Sequence, residues 1–303
     1  SAFNRLEALI EKSYNSPALL FNSGYHANTG LISALADKGC TVLADKLVHA
    51  SIIDGIRLSG APFERFRHND TAHLDRLAQK AHAQGQRLLI VVESVYSMDG
   101  DTAPLEEIVD IKMRYPDSLL YVDEAHAVGV CGPGGLGEVA SLDENRRRAV
   151  DVLIGTMGKA LASVGAYAVM NGELRSWAVN KARSFIFSTA LPPACALWSI
   201  LTFQKALGMD SERKRLRRIG RRVAEAIGSP HHGHIQPFMV GDPLKAVMFS
   251  QQLKNKGLDV LPIRTPTVPP GTDRLRISLS STHSDDDISS LIEALKSLET
   301  NNI

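Results

Sequence analysis

The sequence predicts an α/β protein: a mostly parallel central sheet flanked by helices, followed by a smaller α+β domain. Three observations predict it. Short apolar runs alternate with segments of helical period through the first two thirds of the chain, the pattern of strand–helix–strand units. The alternation breaks at Pro192-Pro193, beyond which a long helical stretch and short strands follow. A length of 303 residues agrees with about two domains, divided as 1–208 and 209–303.

The elements follow in order. Ser23 is a suitable N-cap for a helical pattern over 25–37. Cys40–Ala44 reads as a strand, 49–59 as a helix, Phe63–Phe66 as a short strand and 71–83 as a helix. Arg87–Val92 is a strong strand signal, an apolar run of β length. Pro104 suits the first turn of a helix running to about Arg114. Leu119–Val122, Val152–Ile154 and Ala166–Met170 read as strands. A helical stretch over 194–227 is interrupted at Gly208. Ile235–Val240, Leu258–Ile263 and Arg274–Leu279 read as strands, with helices over 243–256 and 284–299. Residues 1–22 and 171–191 receive no assignment, and the chain has no internal repeat or low-complexity segment.

Composition narrows the function. Lys plus Arg is 34 against 33 for Asp plus Glu, so the chain lacks both the basic excess of a nucleic-acid binder and an acidic tail. Hydrophobic residues at 44% and charged residues at 22% suit a globular protein. No apolar run approaches a membrane span, and no charged start precedes an apolar segment. Neither nucleic acid nor membrane is an expected partner. Cys40, Cys131 and Cys195 are odd in number, far apart and without a CxxC. That pattern speaks against a disulfide framework or zinc ribbon, and a reducing cytoplasm is expected. The opening Ser1-Ala2-Phe3 has no initiator Met and reads as a fragment or a missing start.

Ligands of open parallel sheets bind beyond the carboxyl ends of the strands. Three strands here end in polar residues: one in Glu93 with Ser97 beyond, one in Asp123-Glu124-Ala125-His126, one in Gly155-Thr156-Met157-Gly158-Lys159. DEAH occurs in helicases, but that chemistry needs a GxxxxGK[ST] loop and the chain has none. Gly132–Gly137 matches GxGxxG but lies about ten residues beyond its strand, so a glycine-rich active-site loop or a plain turn is expected. Lys159 stands among small residues; a lysine sheltered there would have a lowered pKa and suit Schiff-base chemistry. Asp123 suits a pyridinium nitrogen, and Ser23-Gly24-Tyr25 at a helix start suits a phosphate. These are the parts that pyridoxal phosphate requires.

SGYHAN at 23–28, HAS at 49–51, ESVYSMDGD at 93–101, VDEAHAVGV at 122–130 and TMGKA at 156–160 together resemble the α-oxoamine synthases, fold-type I PLP-dependent transferases. ARSFIFSTALPP at 182–193 and PIRTPTVPPGTDRLRISL at 262–279 fit the same family, in family order. The resemblance implies that Lys159 is the Schiff-base lysine. It implies that Asp123 partners the pyridine nitrogen, His126 the phenolic oxygen, and that His49 stacks on the ring. Gly24 and Tyr25 match backbone phosphate contacts, Thr156 a hydroxyl near the phosphate, and Ser97 and Glu93 polar residues lining the site. Arg276 resembles the arginine that pairs with the amino acid's carboxylate, and Thr267 a substrate-side threonine. Ser188 or Thr189 matches a contact to the partner subunit's phosphate, and the family's homodimer is implied.

The later segments, with IQPFMVGD at 235–242, resemble the branch that condenses L-alanine with pimeloyl-CoA or a pimeloyl carrier protein in biotin biosynthesis. The first half equally resembles a glycine-using branch. Family chains carry several tens of residues ahead of the position matched by Ser1, including an arginine for the acyl substrate. The stretch 227–235 is short, and its His231-His232-Gly233-His234 run reads as a solvated loop, not a metal site. The basic run from Arg213 to Arg222 reads as a solvated face, Phe185 and Phe187 as core or interface, and Cys131 as a small buried residue.

Overall fold

The apolar run at 88–92 is buried throughout, and its residues divide alternately between two cores. Leu88, Ile90 and Val92 enter one; Leu89 and Val91 enter the other. This is a strand covered on both faces, where side chains of period two meet helices on either side. A computed structural model describes residues 1–300, with side chains to Leu298. The chain forms two units, one of Ser1–Tyr96 with Thr102–Met209, the other of Ser97–Asp101 with Asp210 onward.

The first unit begins with α1 (Ala2–Tyr14), β1 (Ala18–Phe21), α2 (Gly24–Leu35), β2 (Cys40–Asp45), α3 (Ala50–Ser59), β3 (Phe63–Phe66) and α4 (Thr71–Ala83). It continues with β4 (Arg87–Glu93), α5 (Leu105–Met113), β5 (Ser118–Asp123), α6 (Glu144–Arg148), β6 (Val152–Thr156) and β7 (Ala166–Met170). It ends with α7 (Gly172–Lys181), α8 (Arg183–Ile186) and α9 (Pro193–Leu207). The sheet order is β1-β7-β6-β5-β4-β2-β3. The five strands from β3 to β6 in that order are parallel, and β7 and β1 are antiparallel additions. The carboxyl ends of the parallel strands therefore share one edge.

Among the described residues, five α-helices or β-strands lie outside the sequence-based assignments: α1, β1, α6, α7 and α8. Helix α1 is capped by Ser1, whose hydroxyl accepts the Asn4 N–H, and buries Leu6 and Ile10, one turn apart. Strand β1 is four residues long and pairs with β7 alone. Helix α7 buries only Ala178, so it has no apolar stripe to read.

The second unit consists of α10 (Asp210–Ile227), β8 (Ile235–Met239), α11 (Pro243–Asn255), β9 (Leu261–Ile263), β10 (Arg274–Ser278) and α12 (Asp285–Thr300). Its antiparallel sheet, ordered β8-β10-β9, and its helices enclose Val223, Leu253, Leu275 and Leu295. The helical stretch 194–227 is thus two helices, broken at Gly208 and Met209. The basic run on α10 is not a wholly solvated face. Arg213 is buried and paired with Asp210, Arg215 donates to the carbonyls of Ser281 and His283, and Arg222 donates to Ser289 Oγ. Guanidinium groups here close the ends of neighbouring segments, a tertiary use that helical periodicity does not encode.

Residues 97–101 join this unit for local reasons. Arg276 Nε donates to the Ser97 carbonyl at 2.6 Å, and Arg274 pairs with Asp99. Gly100, at φ +70°, has Ile235 O where a Cβ would lie, 2.2 Å away, so only glycine fits.

Candidate active site

Strand register brings the first acids together. Glu93 at the end of β4 lies opposite Asp123 at the end of β5, and Asp123 lies opposite Ile154 of β6. Glu93 is buried, and burial together with the neighbouring Asp123 charge pushes its carboxyl well above the usual range. Its Oε1 accepts the His49 N–H at 2.5 Å, fastening the start of α3 to the end of β4. His49 is the N-cap of α3 and its side chain is exposed.

Asp123 is 4% exposed. Its Oδ2 accepts from Asn28 Nδ2 at 2.7 Å and its Oδ1 from the Ala125 N–H at 2.9 Å. Both donors are neutral, and among the described residues no cation forms an ion pair with it. An ionised carboxylate in that position needs a positive partner.

Lys159 follows β6 in a tight turn, and its Nζ lies 2.8 Å from His126 Nε2. The expectation of a sheltered lysine is corrected: Lys159 is exposed. Its small neighbours build the turn, in which Ala162 N–H bonds the Lys159 carbonyl, Ser163 N–H bonds that of Met157, and Ala162 takes φ +47°. Thr156 is committed to the same turn. Its hydroxyl donates to the Gly165 carbonyl and accepts the Gly158 N–H, each at 3.2 Å.

At the start of α2, Ser23 takes the His26 N–H on its hydroxyl and the Ala27 N–H on its carbonyl. The amides of Gly24 and Tyr25 are left as the first-turn donors, which favour an anion. The Tyr25 side chain bonds Asp54. Nearby, Asn22 Nδ2 donates to Ser188 Oγ at 2.7 Å and to the Thr189 carbonyl at 2.5 Å. Phe185 packs edge-on against Phe21, whereas Phe187 is exposed beneath the Arg183 guanidinium.

In the second unit, Arg276 stands on β10 and donates to Ser97 O and to Ser278 Oγ. Burial lowers its pKa from the ordinary value. Thr267 is exposed in the loop between β9 and β10, its N–H on the Arg264 carbonyl.

Two polar residues escaped the sequence reading. Asn28 sits in the middle of α2, where asparagine is a poor helix former; that mismatch was the available signal. It donates to both Asp123 and Ser51 and accepts from Tyr121. Glu124, the second acid of DEAH, is fully buried. It accepts from Ser94 Oγ at 2.7 Å and from the N–H groups of Glu138 at 3.0 Å and Val139 at 2.7 Å. It thereby anchors the glycine-rich loop: at Gly137, φ +97°, a Cβ would lie 2.4 Å from its Oε2. Cys131 is also corrected, being partly exposed.

The chain matches the family described as Aminotransferase class I and II over residues 4–295, and it belongs to that family. Within it, the chain is 46% identical to the 8-amino-7-oxononanoate synthase of Chlorobaculum parvum, over 97% of this chain and 76% of that protein. Among solved structures, a serine palmitoyltransferase from S. paucimobilis with a bound PLP–myriocin aldimine superposes with a TM-score of 0.93 at 31% identity, covering 99% of this chain and 77% of that one. The 8-amino-7-oxononanoate synthase of Francisella tularensis superposes at 0.84 with 28% identity, covering 100% and 89%.

Proposed function

We propose that this chain carries out the reaction of the 8-amino-7-oxononanoate synthases, using pyridoxal 5'-phosphate. L-Alanine and pimeloyl-CoA, or a pimeloyl carrier protein, condense to 8-amino-7-oxononanoate with loss of coenzyme A and carbon dioxide, a step of biotin biosynthesis. The observation that carries the reading is Asp123, a buried carboxylate held by two neutral donors. A protonated pyridine nitrogen is the partner it suits, and Lys159 and His126 follow the carboxyl ends of the adjoining strands. The residues present therefore fit the cofactor. The identity to named synthases supports the choice of reaction.

Bound pyridoxal phosphate supplies an electron sink for charge left at an amino acid's α-carbon. The chain's residues supply the rest. The amides of Gly24 and Tyr25 bind phosphate, and Thr156 shapes the turn beside it. Asp123 would hold a proton on the ring nitrogen, His126 orients Lys159, and His49 would cover the ring face. Lys159 Nζ would hold the cofactor, and its free amine would serve as the general base for the amino acid's α-proton. Glu93 fixes His49. By resemblance, Arg276 binds the amino acid's carboxylate, with Thr267 and Ser97 on the substrate side. The reading includes a large cofactor-binding domain, a homodimer and a cytoplasmic location.

Coenzyme A release by the chain with pyridoxal phosphate tests it. L-Alanine with pimeloyl-CoA is expected to be fastest, against glycine with acetyl-, succinyl- or pimeloyl-CoA. Fastest release with a glycine pair would move the chain to a sister activity of the 5-aminolevulinate synthase or 2-amino-3-ketobutyrate CoA ligase type, which the resemblance of the ESVYSMDGD and DEAHAVG segments leaves open.

A further inference from the structure

Asn28 is 2% exposed, and every polar atom of its amide is engaged. Its Nδ2 donates to Asp123 Oδ2 at 2.7 Å and to Ser51 Oγ at 2.9 Å, and its Oδ1 accepts from Tyr121 OH at 2.7 Å. The chemistry of the partners fixes the amide's orientation. Tyr121 is fully buried and its pKa is raised well above the ordinary value, by burial first and the Asp123 charge second, so it stays a donor. An ionised carboxylate only accepts.

The same bookkeeping of hydrogens reaches His49. An amide NH2 only donates, so Ser51 Oγ accepts from Asn28 and has one hydrogen left to give. His49 Nδ1 lies 2.8 Å from Ser51 Oγ and also accepts the Ser51 N–H at 3.3 Å. The amide contact alone is long, and the bond from the hydroxyl at 2.8 Å is the shorter and stronger one that holds Nδ1 as an acceptor. The ring proton is then on Nε2, at the exposed end of the side chain.

We infer that Asn28 is a positioning residue that sets two groups at once: it orients the Asp123 carboxyl, and through Ser51 it fixes His49 as the Nε2–H tautomer. The two hydrogens of one amide group divide between the two chains of bonds. Tyr121 is the anchor that keeps the amide from turning over. The part concerning the cofactor rests on the function proposed above; the part concerning His49 does not.

The test uses the full chain with ¹⁵N-labelled histidine, read without cofactor, together with pyridoxal phosphate affinity read by fluorescence. In the wild-type chain, His49 Nδ1 is expected to show the ¹⁵N shift of an unprotonated nitrogen. Ser51→Ala should mix the tautomers of His49 while changing cofactor affinity by less than about threefold. Asn28→Ala should mix the tautomers and weaken cofactor binding by about tenfold or more, the scale of losing a hydrogen bond to a buried charge. Tyr121→Phe keeps the packing if Asn28→Ala does not fold, and it should do both to a lesser degree. An unchanged His49 tautomer in Ser51→Ala and in Asn28→Ala, or in Tyr121→Phe in its place, would overturn the inference. Unchanged cofactor affinity in Asn28→Ala would overturn its Asp123 half. A wild-type chain that binds no pyridoxal phosphate would sink the proposed function instead, leaving the His49 measurement to decide the wiring.

Discussion

Replacing Glu124 with Gln alters one buried carboxyl at nearly constant shape. Burial pushes this group up to about 7 from an ordinary 4.5, against the pull of donors from Ser94, Val139 and Glu138. Between those two values the folded chain retains a proton that the unfolded chain has released. The contribution to stability is thus greatest below pH 4.5 and is lost as pH rises toward about 7. At about 1.4 kcal/mol per unit, the rise corresponds to about 3 kcal/mol. Glu124→Gln abolishes the titration but turns an amide NH2 toward one of the three donors. Leaving that donor unpaired costs about 1–3 kcal/mol at any pH. Urea unfolding of both chains from pH 5 to pH 8, followed by the fluorescence of Trp177 and Trp198, gives the comparison. The variant should be the less stable chain at pH 5, and the gap should close by about 2–3 kcal/mol by pH 8. A gap that stays constant with pH would refute the reasoning, because Glu124 would then be ionised throughout and its three donors would outweigh its burial.

Gly137→Ala should cost about 3 kcal/mol or more in the same unfolding assay, since its Cβ meets the locked Glu124 carboxylate on a left-handed backbone. Lys159→Ala should abolish coenzyme A release and remove the visible absorbance of bound cofactor; normal turnover would dismiss the assignment of that lysine. Asp123→Asn should lower kcat by several kcal/mol of transition-state stabilisation, at least about a hundredfold, and a near-wild-type rate would mean that another group protonates the ring. His49→Ala should shorten retention of pyridoxal phosphate on dialysis, and equal retention would remove His49 from the ring face.

Legibility in the sequence followed the strength of local signals. The β4 run of five apolar residues had one reading, because a strand buried on both faces has no use for polar residues. The acids and bases at strand ends were legible for a related reason. A chain leaving a core at Glu93, Asp123 and Thr156 changes from apolar to polar abruptly, and those changes mark the sheet edge. Helix α1 also carries a signal in Leu6 and Ile10, but two buried residues one turn apart make a weak one. Helix α7, whose Leu174, Trp177 and Val179 are spread around the helix, has none.

The sequence by itself determined the class of fold, the family and the polar residues that end the parallel strands, because each rests on patterns within a few residues of one another. Tertiary structure alone decided how those residues are held. Arg213 is buried rather than solvated, Lys159 is exposed rather than sheltered, and the Thr156 hydroxyl belongs to a turn. Asn28, Ser51 and Tyr121 come from three separate elements to one hydrogen-bond network. Periodicity records which face of an element is buried. It does not record which polar atom will lie opposite another, since hydrogen bonds between distant segments depend on positions that only the packed chain establishes.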